Sequence, residues 1–401
     1  MEQPIQPRSV TLPLRSDPEQ YSDKVTITVT LSPDQINGQA PATGAVISIG
    51  TQEMGAVILS PVDGILTGTL ADVSLLETSP TGQMAPGSRS VTAEFTGTDP
   101  NFDVEDGTTT LTISKEDARA TYTGALFAST SSATSSSATV TLAATIQDIT
   151  AVDPVSDPDA GDIRNADVMF VNRDAGNSIL CTASVGLVNP SDTKTGTATC
   201  NWNANIGSAD STSYTVGIIV NNYYTRDATA DNTVVTVSKP LGTNFITGGG
   251  YLVLSNSAGQ KAGDDGTKNN FGFNVKFNKA GTNLQGNINT IIRRTEPDGL
   301  HVYQVKGNAM SSLLATPTAK PTAATFNGKA NIRDITDPLD PKTVDGNAAL
   351  QVTMKDNGEP GSTDTIGITV WNKAGGLWYS SAWDGVKTVE QTIDGGNLVV
   401  H

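Results

Sequence analysis

Apolar and polar residues alternate with period two along much of the chain. Residues 25–31 (Val-Thr-Ile-Thr-Val-Thr-Leu), 45–49 (Ala-Val-Ile-Ser-Ile), 90–95 (Ser-Val-Thr-Ala-Glu-Phe) and 109–113 (Thr-Thr-Leu-Thr-Ile) each put their branched or aromatic side chains on one side. Such alternation marks strands with one buried and one solvated face. Clusters of Pro, Gly and Asp separate the runs and turn the chain between them. About seven such strands lie in the segment 1–117, the density of an immunoglobulin-like sandwich. A second set is expected near 138–146, 167–171, 214–220 and 233–237, giving a more divergent sandwich over 118–238. Runs at 245–251, 271–277 and 364–370 start and close a third segment, 239–401. The pattern predicts an all-β chain: tandem immunoglobulin-like β-sandwiches, then a C-terminal β-sandwich-like domain, joined near 118 and 239 into a rod.

Between 178 and 203 the pattern reads as a hairpin, with strands 178–188 and 195–203 around the turn Asn189-Pro190-Ser191-Asp192. Folding it about that turn sets Cys181 opposite Cys200, the only two cysteines. A disulfide closing a loop of this size would contribute about 3 kcal/mol in the chain-entropy model. It would also require an oxidising compartment. The alternative is a pair of free buried thiols.

Two stretches carry a family resemblance. Tyr21-Ser22-Asp23-Lys24-Val25-Thr26-Ile27-Thr28-Val29, then Ser88-Arg89-Ser90-Val91-Thr92-Ala93-Glu94-Phe95-Thr96-Gly97 and Asn101-Phe102, resemble the bacterial immunoglobulin-like repeats of large surface proteins. Phe95 and Phe102 stand where that family usually has tyrosine, and the middle of the segment is longer. The third segment, with Gly248-Gly249-Gly250-Tyr251 and Lys355-Asp356-Asn357-Gly358-Glu359-Pro360-Gly361, resembles a β domain found at the C-terminus of secreted bacterial multidomain proteins. The resemblance implies a secreted or cell-surface protein and brings no catalytic residues with it.

Composition narrows the function classes. Across 401 residues, 25 basic and 41 acidic side chains give a net charge of −16, a field that repels phosphate backbones, so nucleic acid is not an expected partner. The charge is uneven: −11 over residues 1–118, −6 over 119–238 and +1 over 239–401. No apolar run approaches the length of a membrane-spanning helix. The start, Met1-Glu2-Gln3-Pro4, does not read as a signal peptide, so the chain is expected to be part of a longer protein. Two histidines and two cysteines exclude zinc sites that need three histidines or four cysteines. No G-x-S-x-G, Walker or H-E-x-x-H motif occurs, and Gly248-Gly249-Gly250 precedes a strand rather than a helix, so it is no nucleotide cradle. His301 falls in an alternating run, as a strand-face residue.

The densest polar constellation is Asp153, Asp157, Asp159 and Asp162 with Asp167 beyond. Aspartates beside Pro and Gly turn the chain by bonding their own backbone. The same run supplies the hard oxygens that calcium wants, so these five are the candidate metal ligands and calcium the one candidate cofactor. Weaker acidic loops are Asp334, Asp337, Asp340 and Asp345, and Asp356, Asn357, Glu359 and Asp364, the latter as a metal site or a hydrogen-bond network. Trp371 and Trp378 flank a turn at 372–376 and read as a hairpin pair. Trp378, Tyr379 and Trp383 are either core residues or a platform for sugar rings. The expectation is a non-enzymatic structural or adhesive region of a secreted or cell-surface bacterial protein. Its alternative is a carbohydrate-binding accessory region of a secreted polysaccharide-degrading enzyme. The partner would be an extracellular glycan or a cell-surface component.

Overall fold

The computed structural model describes residues 10–11, 19–76, 82–98, 102–240, 245–315 and 322–400; Asn101 of the family-like motif and His401 lie outside them. The chain is all-β and divides into two compact units, Met1–Glu116 with Asp153–Gly161, and Asp117–Val152 with Asp162–His401.

The first unit is a two-sheet β fold. Its strands are β1 (Val10–Thr11), β2 (Glu19–Gln20), β3 (Lys24–Leu31), β4 (Gly44–Ile49), β5 (Gln52–Ile58), β6 (Ser60–Val62), β7 (Ile65–Ser74), β8 (Gly87–Thr96) and β9 (Gly107–Ser114). They form sheets of order β1-β3-β7-β6 and β2-β9-β8-β4-β5. The alternation has its expected consequence: Val25, Ile27, Val29 and Leu31 of β3 are buried, as are Val91, Ala93 and Phe95 of β8, while the residues between them stay at the surface or half-buried.

The second unit begins with a sandwich. Its strands are β10 (Glu116–Tyr122, whose first residue belongs to the first unit), β11 (Phe127–Ser129), β12 (Ser137–Asp148), β13 (Ala166–Asn172), β14 (Ser178–Ser184), β15 (Gly186–Asn189), β16 (Asp192–Asn205), β17 (Ser211–Asn222), β18 (Tyr224–Thr225) and β19 (Thr233–Ser238). The two sheets run β15-β16-β12-β10-β18 and β11-β19-β17-β13-β14. Cys181 and Cys200 are disulfide-bonded, with Cα atoms 6.2 Å apart. The hairpin expected around them is corrected in one respect. The turn at 189–192 exists, with Ser191 N donating to Asn189 Oδ1 at 3.0 Å, but it joins β15 to β16. At Val185 the chain leaves one sheet for the other, so Cys181 pairs beside Phe170 of β13 and Cys200 beside Leu142 of β12. The disulfide therefore ties the two sheets together rather than two strands of one hairpin.

The rest of the second unit is one long antiparallel sheet. Its strands are β20 (Phe245–Val253), β21 (Lys268–Phe277), β22 (Leu284–Glu296), β23 (Gly299–Ala315), β24 (Thr322–Asp334), β25 (Lys342–Asp356), β26 (Thr365–Trp371), β27 (Leu377–Ser380), β28 (Gln391–Thr392) and β29 (Gly395–Val400). The order is β27-β26-β25-β24-β23-β22-β21-β20-β29, with β28 beside β26. The sheet curls until β29 touches β24 and β25, enclosing a core that includes Phe273, Phe326, Leu350, Ile368 and Leu398. The turn between β25 and β26 latches this closure. Asp364, fully buried, accepts from Asn357 N and Leu398 N, both at 2.9 Å. Asp356 accepts from Gly358 N at 2.9 Å and Val400 N at 3.2 Å. Two carboxylates thus serve the outward N–H groups of β29 that have no strand beyond them, and this acidic loop acts as a hydrogen-bond network.

The sandwich and the curled sheet share a seam and fall in one compact unit, with no division near 239, where the sequence pattern led to the expectation of one. Ala143 and Val188 of the sandwich pack with Ala349, Trp371 and Leu377 of the sheet in a single buried cluster. Thr197 Oγ1 donates to Gly375 O at 3.2 Å, Thr145 Oγ1 to Val386 O at 2.5 Å, and Ala133 N to Gly281 O at 2.8 Å. Gly186 and Gly376 let the backbones touch: a Cβ on Gly186 would lie 2.6 Å from the Gly376 Cα.

Candidate functional site

The first unit gathers three carboxylates. A tight turn at 20–23 starts it: Gln20 N donates to Asp23 Oδ2 at 3.0 Å, Asp23 N to Gln20 O at 3.2 Å, and Ser22 has a φ of +81°. Tyr21 N donates to Ser114 O at 3.0 Å, which fixes this turn beside the end of β9, two residues before Glu116. Segment Asp153–Gly161 folds onto the same unit. Ser22 Oγ donates to Asp159 O at 2.7 Å, Lys24 Nζ pairs with Asp159 Oδ1 at 2.8 Å, and Gln83 Nε2 donates to Ala160 O at 3.5 Å. This places Asp157 with Asp23 and Glu116, one oxygen from each lying within 4.8 Å of the others.

Glu116 is fully buried and the two aspartates half-buried. Carboxylates this close oppose one another's ionisation, and burial of one adds a desolvation penalty; a cation among them reverses both effects. The donors are all hard oxygens, which suits calcium or magnesium and does not suit zinc or copper. Calcium's need for six to eight oxygens leaves room for main-chain carbonyls and water beside these three groups.

Of the five aspartates expected as ligands, Asp157 alone belongs to this cluster. Asp153 accepts from Ser156 N at 3.3 Å and shapes its own turn, and Asp159 is taken up by Lys24, whose ammonium pKa that hydrogen bond raises. Asp162 and Asp167 belong to the second unit. There Asp162 caps the short 3-10 turn Ile163–Asn165 through Arg164 N at 3.0 Å and chelates the Arg164 guanidinium, while Asp167 stands exposed on β13. The partners missed by sequence reasoning, Asp23 and Glu116, lie far from the Asp run in the chain. Asp23 sits inside the family-like Tyr-Ser-Asp-Lys stretch, which was the one signal available.

The aromatic platform is also redistributed. Trp378 and Tyr379 are buried in the sheet's core, Trp378 edge-on to Tyr303 at 5.7 Å, so neither offers a face to a sugar. A bulge sets Trp371 opposite Leu377, and Trp371 and Trp378 fall into separate clusters instead of pairing across the hairpin. Trp383 is half-buried and packs against the Trp371 cluster.

On β23, His301 bridges two carboxylates, with Nδ1 2.5 Å from Asp334 Oδ2 and Nε2 3.0 Å from Asp298 Oδ1. The Asp334 hydrogen bond chiefly raises its pKa above the ordinary value. Burial opposes ionisation of Asp334, yet hydrogen bonds from Thr336 and His301 hold its carboxyl below the usual range. Asp337 and Asp340 are likewise spent locally, on Leu339 N at 2.9 Å and on Lys342, and Asp345 accepts from Lys373 N at 3.1 Å.

No protein-family model matches the chain, and no curated protein is similar enough to count as a relative. Among solved structures, the chain is similar to the fibronectin(III)-like modules of Clostridium thermocellum CbhA, at 12% identity and TM-score 0.21, over 57% of this chain and 93% of that one. It is similar to a "putative membrane anchored protein" of Corynebacterium diphtheriae at 11% identity and TM-score 0.19, over 97% and 91%. It is similar to the portion of native alpha-2-macroglobulin of Escherichia coli spanning domains MG0-NIE-MG1, at 11% identity and TM-score 0.16, over 91% of this chain and 97% of that one. No helix among the described residues is long and apolar enough to cross a membrane.

Proposed function

We propose that the chain is a non-enzymatic structural region of a secreted or cell-surface bacterial protein, in which immunoglobulin-like sandwiches present a C-terminal β body. The observation that carries this reading is the seam. A buried cluster and main-chain hydrogen bonds make the second sandwich a rigid mount for the curled sheet. The Cys181–Cys200 disulfide supports an oxidising compartment. His301, held between Asp334 and Asp298, is engaged in a structural bridge. Surface display is tested with an antibody against the purified chain. Intact source cells, or their medium, should carry the epitope, and protease added outside should remove it from cells; an epitope seen only after permeabilisation sinks the reading.

In the same mechanical role, Asp23, Glu116 and Asp157 would hold calcium and fasten the Asp153–Gly161 segment to the first sandwich. A cation that binds only the folded state raises stability by about 2.7 kcal/mol at a hundredfold excess over Kd. Calcium should therefore raise, and EDTA lower, the melting temperature of the first unit, and Asp157→Asn should abolish the difference. Identical melting curves with calcium and with EDTA would show the cluster to be metal-free.

A further inference from the structure

Where the second sandwich meets the curled sheet, a cleft of about 290 Å³ opens. Phe127 on β11 and Thr197 on β16 line one side; Gln351 on β25, Trp371 on β26, and Trp383 and Thr388 beyond β27 line the other. The cleft exists only because the two segments share one core, since neither contributes both walls.

Its chemistry is specific. Trp371 is 2% exposed and clamped in the seam cluster. Trp383 packs against that cluster, and its main-chain N–H donates to Asn256 O at 2.7 Å, so packing and backbone together place the aromatic wall before any ligand arrives. The polar lining is equally ordered, with Thr369 Oγ1 donating to Thr388 Oγ1 at 2.7 Å and Ser380 Oγ 2.8 Å from the same Thr388 oxygen. Two wall groups, Trp371 Nε1 and Thr123 Oγ1, are buried and have no hydrogen-bond partner among the described residues. Buried polar atoms are nearly always paired, and an exception points to water or a ligand. No carboxylate is among the described lining residues, and the one cation among them, Lys387, is exposed.

Flat apolar faces, neutral hydroxyl and amide groups and little charge complement a molecule that presents C–H faces together with many hydroxyls. We propose that this cleft binds a neutral sugar ring, stacked on Trp383 and hydrogen-bonded by Gln351 and the threonine hydroxyls. The volume, at the lower end of small-molecule pockets of roughly 300–1,000 Å³, fits one ring or the end of an oligosaccharide. The site requires no particular cellular location and stands apart from the presentation role.

The test is tryptophan fluorescence and saturation-transfer NMR on the full chain, with glucose-, mannose-, galactose- and N-acetylglucosamine-based tetrasaccharides and an oligogalacturonate as the acidic comparison. At least one neutral tetrasaccharide should bind saturably. Trp383→Ala should weaken it tenfold or more, Gln351→Met should weaken it several-fold, and Trp383→Phe should keep most of the affinity. Gln351→Met keeps side-chain length and apolar volume, so its melting curve should match the parent and its binding loss reads the site even if Trp383→Ala unfolds. Absence of saturable binding by every neutral probe overturns the proposal. So does binding confined to oligogalacturonate and lost in Lys387→Met, or affinity unchanged in both Trp383→Ala and Gln351→Met.

Discussion

At His301 a strand-face imidazole joins Asp334, the last residue of β24, to Asp298 in the β22–β23 turn. Its pKa is raised, so its stabilising contribution is complete below the ordinary histidine value and disappears as pH climbs through the elevated one. Asp334 is shifted the other way: its contribution is present above the ordinary aspartate value and is lost only as pH falls through the depressed one. Thermal melts should therefore show the second unit losing stability as pH rises from the ordinary histidine range through the elevated pKa. His301→Asn should flatten that slope, and an unchanged slope in the variant would mean the bridge contributes nothing. The histidine's place on a strand was legible from its alternating neighbours. Its partner Asp334 was not, because the β23–β24 register that brings Tyr303 beside Asp334 is a pairing between distant runs. Asp157 teaches the same point: its carboxylate could be seen in the Asp run, but Asp23 and Glu116 reach it only through the fold.

Among the elements, strands with one wet face were readable because alternation survives in each of them, as in β3, β4, β8 and β9. Errors arose where pattern continues but pairing does not. Residues 178–188 read as one continuous strand-like run without a Pro or Asn/Asp turn, yet the chain changes sheets at Val185, and Val185, Leu187 and Val188 are buried against the other side. The bulge at Val370/Trp371 likewise separated two tryptophans that spacing alone made neighbours. The corrected disulfide has a consequence at this scale. It fastens an edge strand, β14, to the opposite sheet through β16, so it constrains the sandwich as a whole. For cysteines 19 positions apart in the chain, the chain-entropy model gives about 3 kcal/mol. Replacing both by alanine should lower the unfolding free energy by about that amount in denaturant titrations, and reductant should have no further effect on the variant. Equal stability of parent and variant would show that the sheets are held by packing alone.

For the whole molecule, the charge pattern suggested three modules, two acidic and one neutral, but net charge reports solvation and not which apolar faces meet. The residues that fuse the last two segments are small or apolar: Ala143, Val188, Gly186, Gly376 and Trp371. None forms a local motif, so the seam, and the cleft built on it, could be found only in three dimensions. The seam makes a cooperative prediction. All four tryptophans, Trp202 in the sandwich and Trp371, Trp378 and Trp383 in the sheet, belong to the second unit, so fluorescence reports that unit alone. Sandwich and sheet should unfold together, and a variant retaining only Trp202 should melt at the same temperature as one retaining only Trp378. Gly186→Val places a side chain where even a Cβ would stand 2.6 Å from the Gly376 backbone, and neither backbone can yield without opening the buried cluster beside it. That substitution should lower both reporters' transitions by the same several degrees, about 1–3 kcal/mol for an overpacked core. If Trp202 and Trp378 instead report separate transitions, and Gly186→Val moves only the first, the seam is a contact between independent domains and the rod would be restored.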